Sequence, residues 1–98
     1  KQNKTYWRLI DRAVIKLEDA GIDSSYIYNL PHPTGCPITK ETLHNFFYAL
    51  FPQVDEHGKQ ITMSSSKWTS TMSAFVIDNA RNWLASQWGI TVEINGEY

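Results

Sequence analysis

The sequence predicts a mainly α fold, a small three-helix domain with a minor β hairpin or a short C-terminal strand. Large apolar residues recur at intervals of three and four in three separate segments, which is the spacing of one helical face. Clusters of Pro, Gly, Asn and Ser separate those segments. Because 42% of the 98 residues are hydrophobic and 13% are aromatic, the chain has enough apolar surface for one core. We therefore expect residues 1–98 to form a single helical domain, and the first residue, Lys1, indicates a fragment of a longer chain.

The first helix is predicted from Thr5 to Ala20, with either Thr5 or Asn3 as its N-cap. Gly21 and Ile22 follow it and supply the left-handed residue and the hydrophobic contact of a common helix ending. The apolar face of this helix consists of Trp7, Ile10, Val14 and Leu17.

A loop is predicted over Asp23 to Pro37, because Pro31, Pro33, Gly35 and Pro37 exclude regular helix. The apolar residues at its start are expected to pin the loop to the core as one short helical turn. These residues are Tyr26, Ile27, Tyr28 and Leu30.

The second helix is predicted from Lys40 to Leu50, with Thr39 as its cap and Pro52 as its stop. Ile38 and Leu43 are spaced as a hydrophobic staple across its start. Its buried face is expected to consist of Leu43, Phe46, Phe47 and Leu50.

The last part of the chain predicts a little β structure and one long helix. Gln53 to Met63 fits a small hairpin better than an irregular loop. The third helix is predicted from Thr71 to Gln87, and apolar and polar residues then alternate from Ile90 to Ile94 as in one short strand. The first and third helices are expected to pack through Trp7, Ile10, Val14, Phe75, Val76 and Trp83.

Basic residues stand at every fourth position of the first helix, and we call them the cationic ridge: Lys4, Arg8, Arg12 and Lys16. Residues four apart differ by only 40° around a helix, so these side chains are predicted to form one exposed ridge roughly 18 Å long. Two interpretations stay open, a solvated face of an amphipathic helix and a surface that contacts phosphates or an acidic partner.

Lys67 and Trp68 extend the candidate binding site, because they stand in a Ser- and Thr-rich segment where no core periodicity requires an aromatic ring. An exposed ring stacks on a nucleobase, and the hydroxyls around it are suited to phosphate oxygens. The alternative is that Trp68 folds back as a staple on the third helix.

No metal and no cofactor is predicted. Among the His and Cys residues only His32 and Cys36 lie close together, and a stiff Pro-rich loop separates them. His44 is interpreted as an exposed partner of Glu41, and His57 as a turn residue.

The chain is predicted not to be an enzyme. Asp55, Glu56 and His57 include an acid–base set, and Cys36 is a nucleophile type, but both signals are generic. The sequence has no P-loop, no Gly-rich dinucleotide turn and no nucleophile elbow.

Composition also limits the cellular locations and the classes of ligand that we expect. No apolar run approaches the roughly 20 residues that span a bilayer, and no signal-peptide pattern is present, so we expect no membrane association. The single Cys36 fits a reducing compartment, and a cytoplasmic location is predicted. The formal net charge of -1 offers no global attraction to phosphate, so binding of nucleic acid would depend on local charge.

Residues 2–10, QNKTYWRLI, place Gln-Asn before an aromatic-rich helix. Residues 64–90, SSSKWTSTMSAFVIDNARNWLASQWGI, place a Ser- and Thr-rich cap before a helix with Phe and Trp, and Gly-Ile beyond it. The two blocks resemble phage recombination proteins of the NinB/Orf kind. The Pro-rich stretch from Leu30 to Pro37 has no counterpart in that pattern.

The resemblance implies a non-enzymatic accessory factor of phage DNA recombination or replication that acts in the host cytoplasm. Such a factor binds single-stranded DNA, works alongside a host single-strand-binding or recombination protein, and often forms a homodimer. A β-containing region ahead of the Gln-Asn block is also implied. The alternative function is a small protein interaction module that docks an acidic patch of a host protein without nucleic acid.

Overall fold

Four α-helices and one small hairpin make up the fold, as a computed structural model shows for residues 2–51, 53–54, 57, 60–61 and 69–94. The helices are α1 (Gln2–Asp19), α2 (Ser24–Ile27), α3 (Lys40–Leu50) and α4 (Ser70–Trp88). Two short antiparallel strands, β1 (Gln53–Val54) and β2 (Gln60–Ile61), place Gln53 opposite Ile61 and Val54 opposite Gln60. The mainly α fold with a minor hairpin is thus confirmed.

The first helix starts earlier than its apolar face predicts. α1 begins at Gln2, so Asn3 and Thr5 lie inside the helix and neither is its N-cap. Thr5 is buried within α1. The predicted ending is confirmed, because Gly21 has a φ of +74° and the N–H of the following residue, Ile22, donates to the Leu17 carbonyl at 2.9 Å.

Local capping sets the bounds of the two other long helices. Thr39 Oγ1 accepts from the N–H of Thr42 at 3.1 Å, and α3 has the predicted range. Thr69 caps α4 in the same way, and the helix is one residue longer at each end than predicted. Gly89 ends α4 with a φ of +68°. No helix in the described part of the chain combines the length and the apolar character that crossing a bilayer requires.

The helical turn expected before the Pro-rich loop is α2. Its Ile27 packs against the core, but Tyr26, Tyr28 and Leu30 are exposed, so the expectation that they pin the loop is wrong. Asn29, two residues after the end of α2, has a left-handed φ of +53°. The loop is held by polar contacts instead.

The Asp23 carboxylate organises the Pro-rich loop. It caps α2 by accepting from the N–H of Ser25 at 2.9 Å, and it also accepts from the Ser25 hydroxyl. Its second oxygen accepts from the N–H of Thr34 at 3.0 Å and of Gly35 at 3.1 Å. One carboxylate therefore ties the start of α2 to the far end of the loop.

The core lies where α1 packs against both α3 and α4. Ile10 and Val76 are fully buried, as predicted for the contact between the first and last helices. Phe75 is 47% exposed, so its expected place in that contact is wrong. It shares the outer face of α4 with Asp78 and Asn82, which are three and seven residues further on and are also exposed. Partly buried side chains that pack against the core include Trp7, Val14, Phe46, Trp83 and Trp88.

Residues 90–94 follow the predicted alternation but do not form a paired strand. Ile90, Val92 and Ile94 are buried, and Thr91 and Glu93 are exposed. This segment pairs with no strand in the described part of the chain. Side-chain hydrogen bonds from Arg12 and Lys16 join it to α1.

Candidate functional site

The cationic ridge divides into two halves with different surroundings. Each step of four residues turns the position by 40°, so Lys16 stands about 120° around the helix from Lys4. Lys4 and Arg8 are exposed on the outer face of α1. The winding brings Arg12 and Lys16 to the flank of α1, beside residues 90–94.

Arg12 and Lys16 hold the backbone of residues 90–94. Nζ of Lys16 donates to the carbonyl of Thr91 at 2.5 Å, and Nη1 of Arg12 donates to the carbonyl of Glu93. The distance between the two donors matches the distance between the two carbonyls. Four residues of a helix rise about 6 Å, and two residues of an extended chain span about 6.6 Å. The expectation that Arg12 and Lys16 stand free on the ridge is therefore wrong. Their partners are backbone carbonyls rather than carboxylates.

An ion pair neutralises an acidic residue beside the outer half of the ridge. Asp11 lies three residues after Arg8, and its Oδ1 is 3.1 Å from Nζ of Lys40 at the start of α3. Both side chains are largely exposed, so this pair adds little stability. It does offset the negative charge of Asp11 near Lys4 and Arg8.

Four rings that join α1 to α3 form what we call the aromatic cluster: Tyr6, Trp7, His44 and Tyr48. The Trp7 and His44 ring centroids are 4.8 Å apart, and those of His44 and Tyr48 are 5.9 Å apart. Tyr6 is fully buried, whereas the other three rings are partly exposed. Trp7 stands three residues after Lys4, so on α1 the two side chains are neighbours and the aromatic cluster begins beside the first residue of the ridge.

The interpretation of His44 as an exposed partner of Glu41 is wrong. Its Nδ1 lies 2.6 Å from the Tyr6 hydroxyl, and desolvation lowers the pKa of the imidazole. Burial raises the pKa of the Tyr6 hydroxyl. Sequence reasoning missed this pair, although Tyr6 stands four residues before Ile10 and seven before Ala13, the spacing of the buried face.

A second aromatic surface lies around α2 and the end of α4. Phe46 stacks on Trp88 with ring centroids 5.8 Å apart, and Tyr26 meets Trp88 edge-on at 6.1 Å. Tyr26 and Trp88 line a cleft of about 490 Å³ together with the loop residues Leu30 to Pro33. No Lys or Arg is among the described residues that line this cleft. It therefore offers stacking surface without a partner for phosphate.

The remaining candidate residues are of two kinds, those outside the described residues and those that are exposed. Lys67, Trp68, Asp55 and Glu56 lie outside the described residues. His32, Cys36 and His57 are exposed. Within the ranges that the structure describes, no group of three or more His, Cys, Asp or Glu side chains is placed to hold a metal ion.

Comparison of the chain with models of protein families, with curated proteins and with solved structures finds no match.

Proposed function

We propose that this protein is a non-enzymatic, phage-type accessory factor of DNA recombination or replication that binds single-stranded DNA. The observation that carries the proposal is that α1 bears exposed Lys4 and Arg8 together with the partly exposed ring of Trp7, which meets His44 and, through His44, the ring of Tyr48. Two blocks of sequence that resemble NinB/Orf proteins supply the recombination context. The DNA site we propose is thus the outer half of the ridge rather than its whole length.

Single-stranded DNA suits this surface because it presents phosphates and unpaired bases together. Lys4 and Arg8 provide the charges for two neighbouring phosphates, and the edge of the aromatic cluster provides a stacking platform. A duplex would keep its bases stacked inside and would leave the rings unused.

The small number of cations predicts modest, salt-sensitive binding. With two phosphate contacts, log K should fall against log salt with a slope of roughly -1.4. A homodimer would present two such surfaces to one strand and raise the affinity without new contacts. A host single-strand-binding or recombination protein is the partner that this function requires.

The test is titration of fluorescent oligo-dT at low salt with the double variant Lys4→Gln, Arg8→Gln. Its salt dependence should become nearly flat, because both proposed phosphate contacts are lost. Arg81→Gln on α4 is the matched charge control and should keep the parent slope. Unchanged binding by the double variant, or equal losses in the control, would contradict the proposal.

A second variant separates stacking from charge. Tyr48→Leu should weaken oligo-dT binding by at least roughly fivefold, because stacking contributes about 1–3 kcal/mol per base. Tyr26→Leu removes an exposed tyrosine from the α2 surface and should leave the affinity unchanged. If both tyrosine variants bind like the parent, the aromatic cluster takes no part in the function.

A further inference from the structure

Residues 90–94 have the pattern of a strand but pair with none of the strands that the structure describes. Buried Ile90, Val92 and Ile94 face the core, and the exposed Thr91 and Glu93 face outwards. Such alternation belongs to extended backbone that is buried on one side. No backbone hydrogen bond joins residues 91–94 to another part of the described chain.

Two side chains of α1 cover the edge of this segment that faces the helix. In extended backbone the N–H and C=O groups of alternate residues point to the same edge, so those of Thr91 and Glu93 share one edge. Their carbonyls accept from Lys16 and Arg12, in the positions that N–H groups of a neighbouring strand would occupy. Long, flexible cations are a common way to block a strand edge, and they can move aside.

A groove runs along this edge and has an apolar floor between charged walls. It measures about 420 Å³ and is lined by Arg12, Ile15, Lys16 and Glu93. Ile15 is 60% exposed and supplies the apolar part of the lining. Two of the three charged lining residues are cationic, so the groove favours an acidic occupant.

We propose that this edge binds an extended acidic segment of a partner protein by strand addition. The backbone N–H groups of that segment would donate to the carbonyls of Thr91 and Glu93. Arg12 and Lys16 would move from those carbonyls to the carboxylates of the segment, and Ile15 would contact its apolar side chains. Main-chain hydrogen bonds then supply affinity, and the alternating side chains supply specificity.

This surface is separate from the proposed DNA site, because it uses the inner half of the ridge and residues 90–94. It deepens the alternative reading of the chain as a protein interaction module, and it does not depend on DNA binding. The proposed occupant of the groove is an acidic strand of a partner protein, and a second copy of this chain is the competing occupant.

The test is amide hydrogen exchange on the full chain, followed by NMR, with the peptide acetyl-Glu-Val-Glu-Val-Glu-amide as the probe. Saturating peptide should slow exchange of the Thr91 and Glu93 amides by roughly tenfold or more. The matched peptide acetyl-Lys-Val-Lys-Val-Lys-amide should have no effect. Equal protection by both peptides, or none by either, would overturn the proposal. Protection that appears without peptide and grows with protein concentration would show that a second copy of the chain occupies the edge. That result would also overturn the proposal.

Two variants place the peptide in the groove. Lys16→Gln should weaken binding of the acidic peptide, whereas Lys4→Gln on the outer half should bind as the parent does. Ile15→Ser changes an exposed side chain, so the variant should fold and bind oligo-dT as the parent does. Its binding of the acidic peptide should be weaker. If Lys16→Gln is poorly folded, the test depends on Ile15→Ser. Parent-like peptide binding by Ile15→Ser would show that the peptide does not bind in the groove.

Discussion

The Tyr6 hydroxyl lies 2.6 Å from Nδ1 of His44, and this hydrogen bond joins α1 to α3 across 38 positions of the chain. Desolvation lowers the pKa of His44, and burial raises the pKa of Tyr6. Both groups are therefore neutral near pH 7, and the hydrogen bond joins two uncharged groups. Protonation of His44 would place a charge in this partly desolvated position between the rings of Trp7 and Tyr48.

The first prediction is that acid below about pH 6.5 destabilises the fold through His44. In the unfolded chain this histidine has its ordinary pKa of about 6.5. Because the folded-state pKa is lower, the unfolded chain binds more protons between the two values, so stability falls as pH falls through that window. The stabilisation is complete above the window. Urea unfolding measured from pH 7.5 downwards should show this slope.

Two variants check the assignment to His44. His44→Gln should flatten the pH dependence in the window below about pH 6.5. His32→Gln replaces an exposed histidine of the Pro-rich loop and should keep the parent slope. A parent-like slope in His44→Gln would place the titration elsewhere in the molecule.

The second prediction concerns the carboxylate that holds the Pro-rich loop. The pKa of Asp23 is lowered from its usual 3.8, and the hydrogen bond from the Ser25 hydroxyl is the largest cause. Desolvation opposes this shift, whereas hydrogen bonds from the backbone N–H groups of Ser25, Gly35 and Thr34 lower the pKa further. Asp23→Asn removes the charge and one acceptor oxygen, so the Thr34 and Gly35 amides should exchange faster with solvent. Hydrogen exchange at those two amides is the measurement.

The same contacts set a second pH window, at lower pH. A lowered folded-state pKa means that this stabilisation is present above about pH 3.8 and is lost as pH falls through the folded value. Asp19→Asn, at the end of α1, is the matched control and should leave the loop amides unchanged. Equal exchange rates in Asp23→Asn and the parent would show that the loop does not depend on this carboxylate.

Features that local chemistry determines were predictable from the sequence. The Thr39 cap fixed the start of α3, and Gly21 with Ile22 marked the end of α1, because each signal involves residues within one turn of a helix. The alternation of residues 90–94 also predicted correctly which side chains are buried. Periodicity reports the face that a segment buries, and it does so without knowledge of the fold.

Features that depend on distant partners were not predictable in this way. The spacing of Arg12 and Lys16 predicted a ridge, but their acceptors lie 81 and 75 positions away, on a segment that periodicity alone cannot place. Phe75 followed an apolar rhythm, yet the stripe on α4 is wider than the surface that the neighbouring helices cover. The candidate site changed for the same reason, since long-range packing decided which cations stay on the outer face.

The third prediction is that removing one buried hydroxyl stabilises the protein. Ser73 Oγ on α4 is buried and forms no hydrogen bond within the described ranges. A buried hydroxyl without a partner costs roughly 1–3 kcal/mol, and Ala also has the higher helix propensity. Ser73→Ala leaves a space no larger than one oxygen atom, so the free energy of unfolding should rise by about 1 kcal/mol.

Ser86→Ala, on the exposed face of the same helix, changes helix propensity without relieving a buried hydroxyl and should stabilise the protein less. Urea unfolding of the two variants beside the parent measures the difference, and a loss of stability in Ser73→Ala would mean that the hydroxyl has a hydrogen-bond partner in solution.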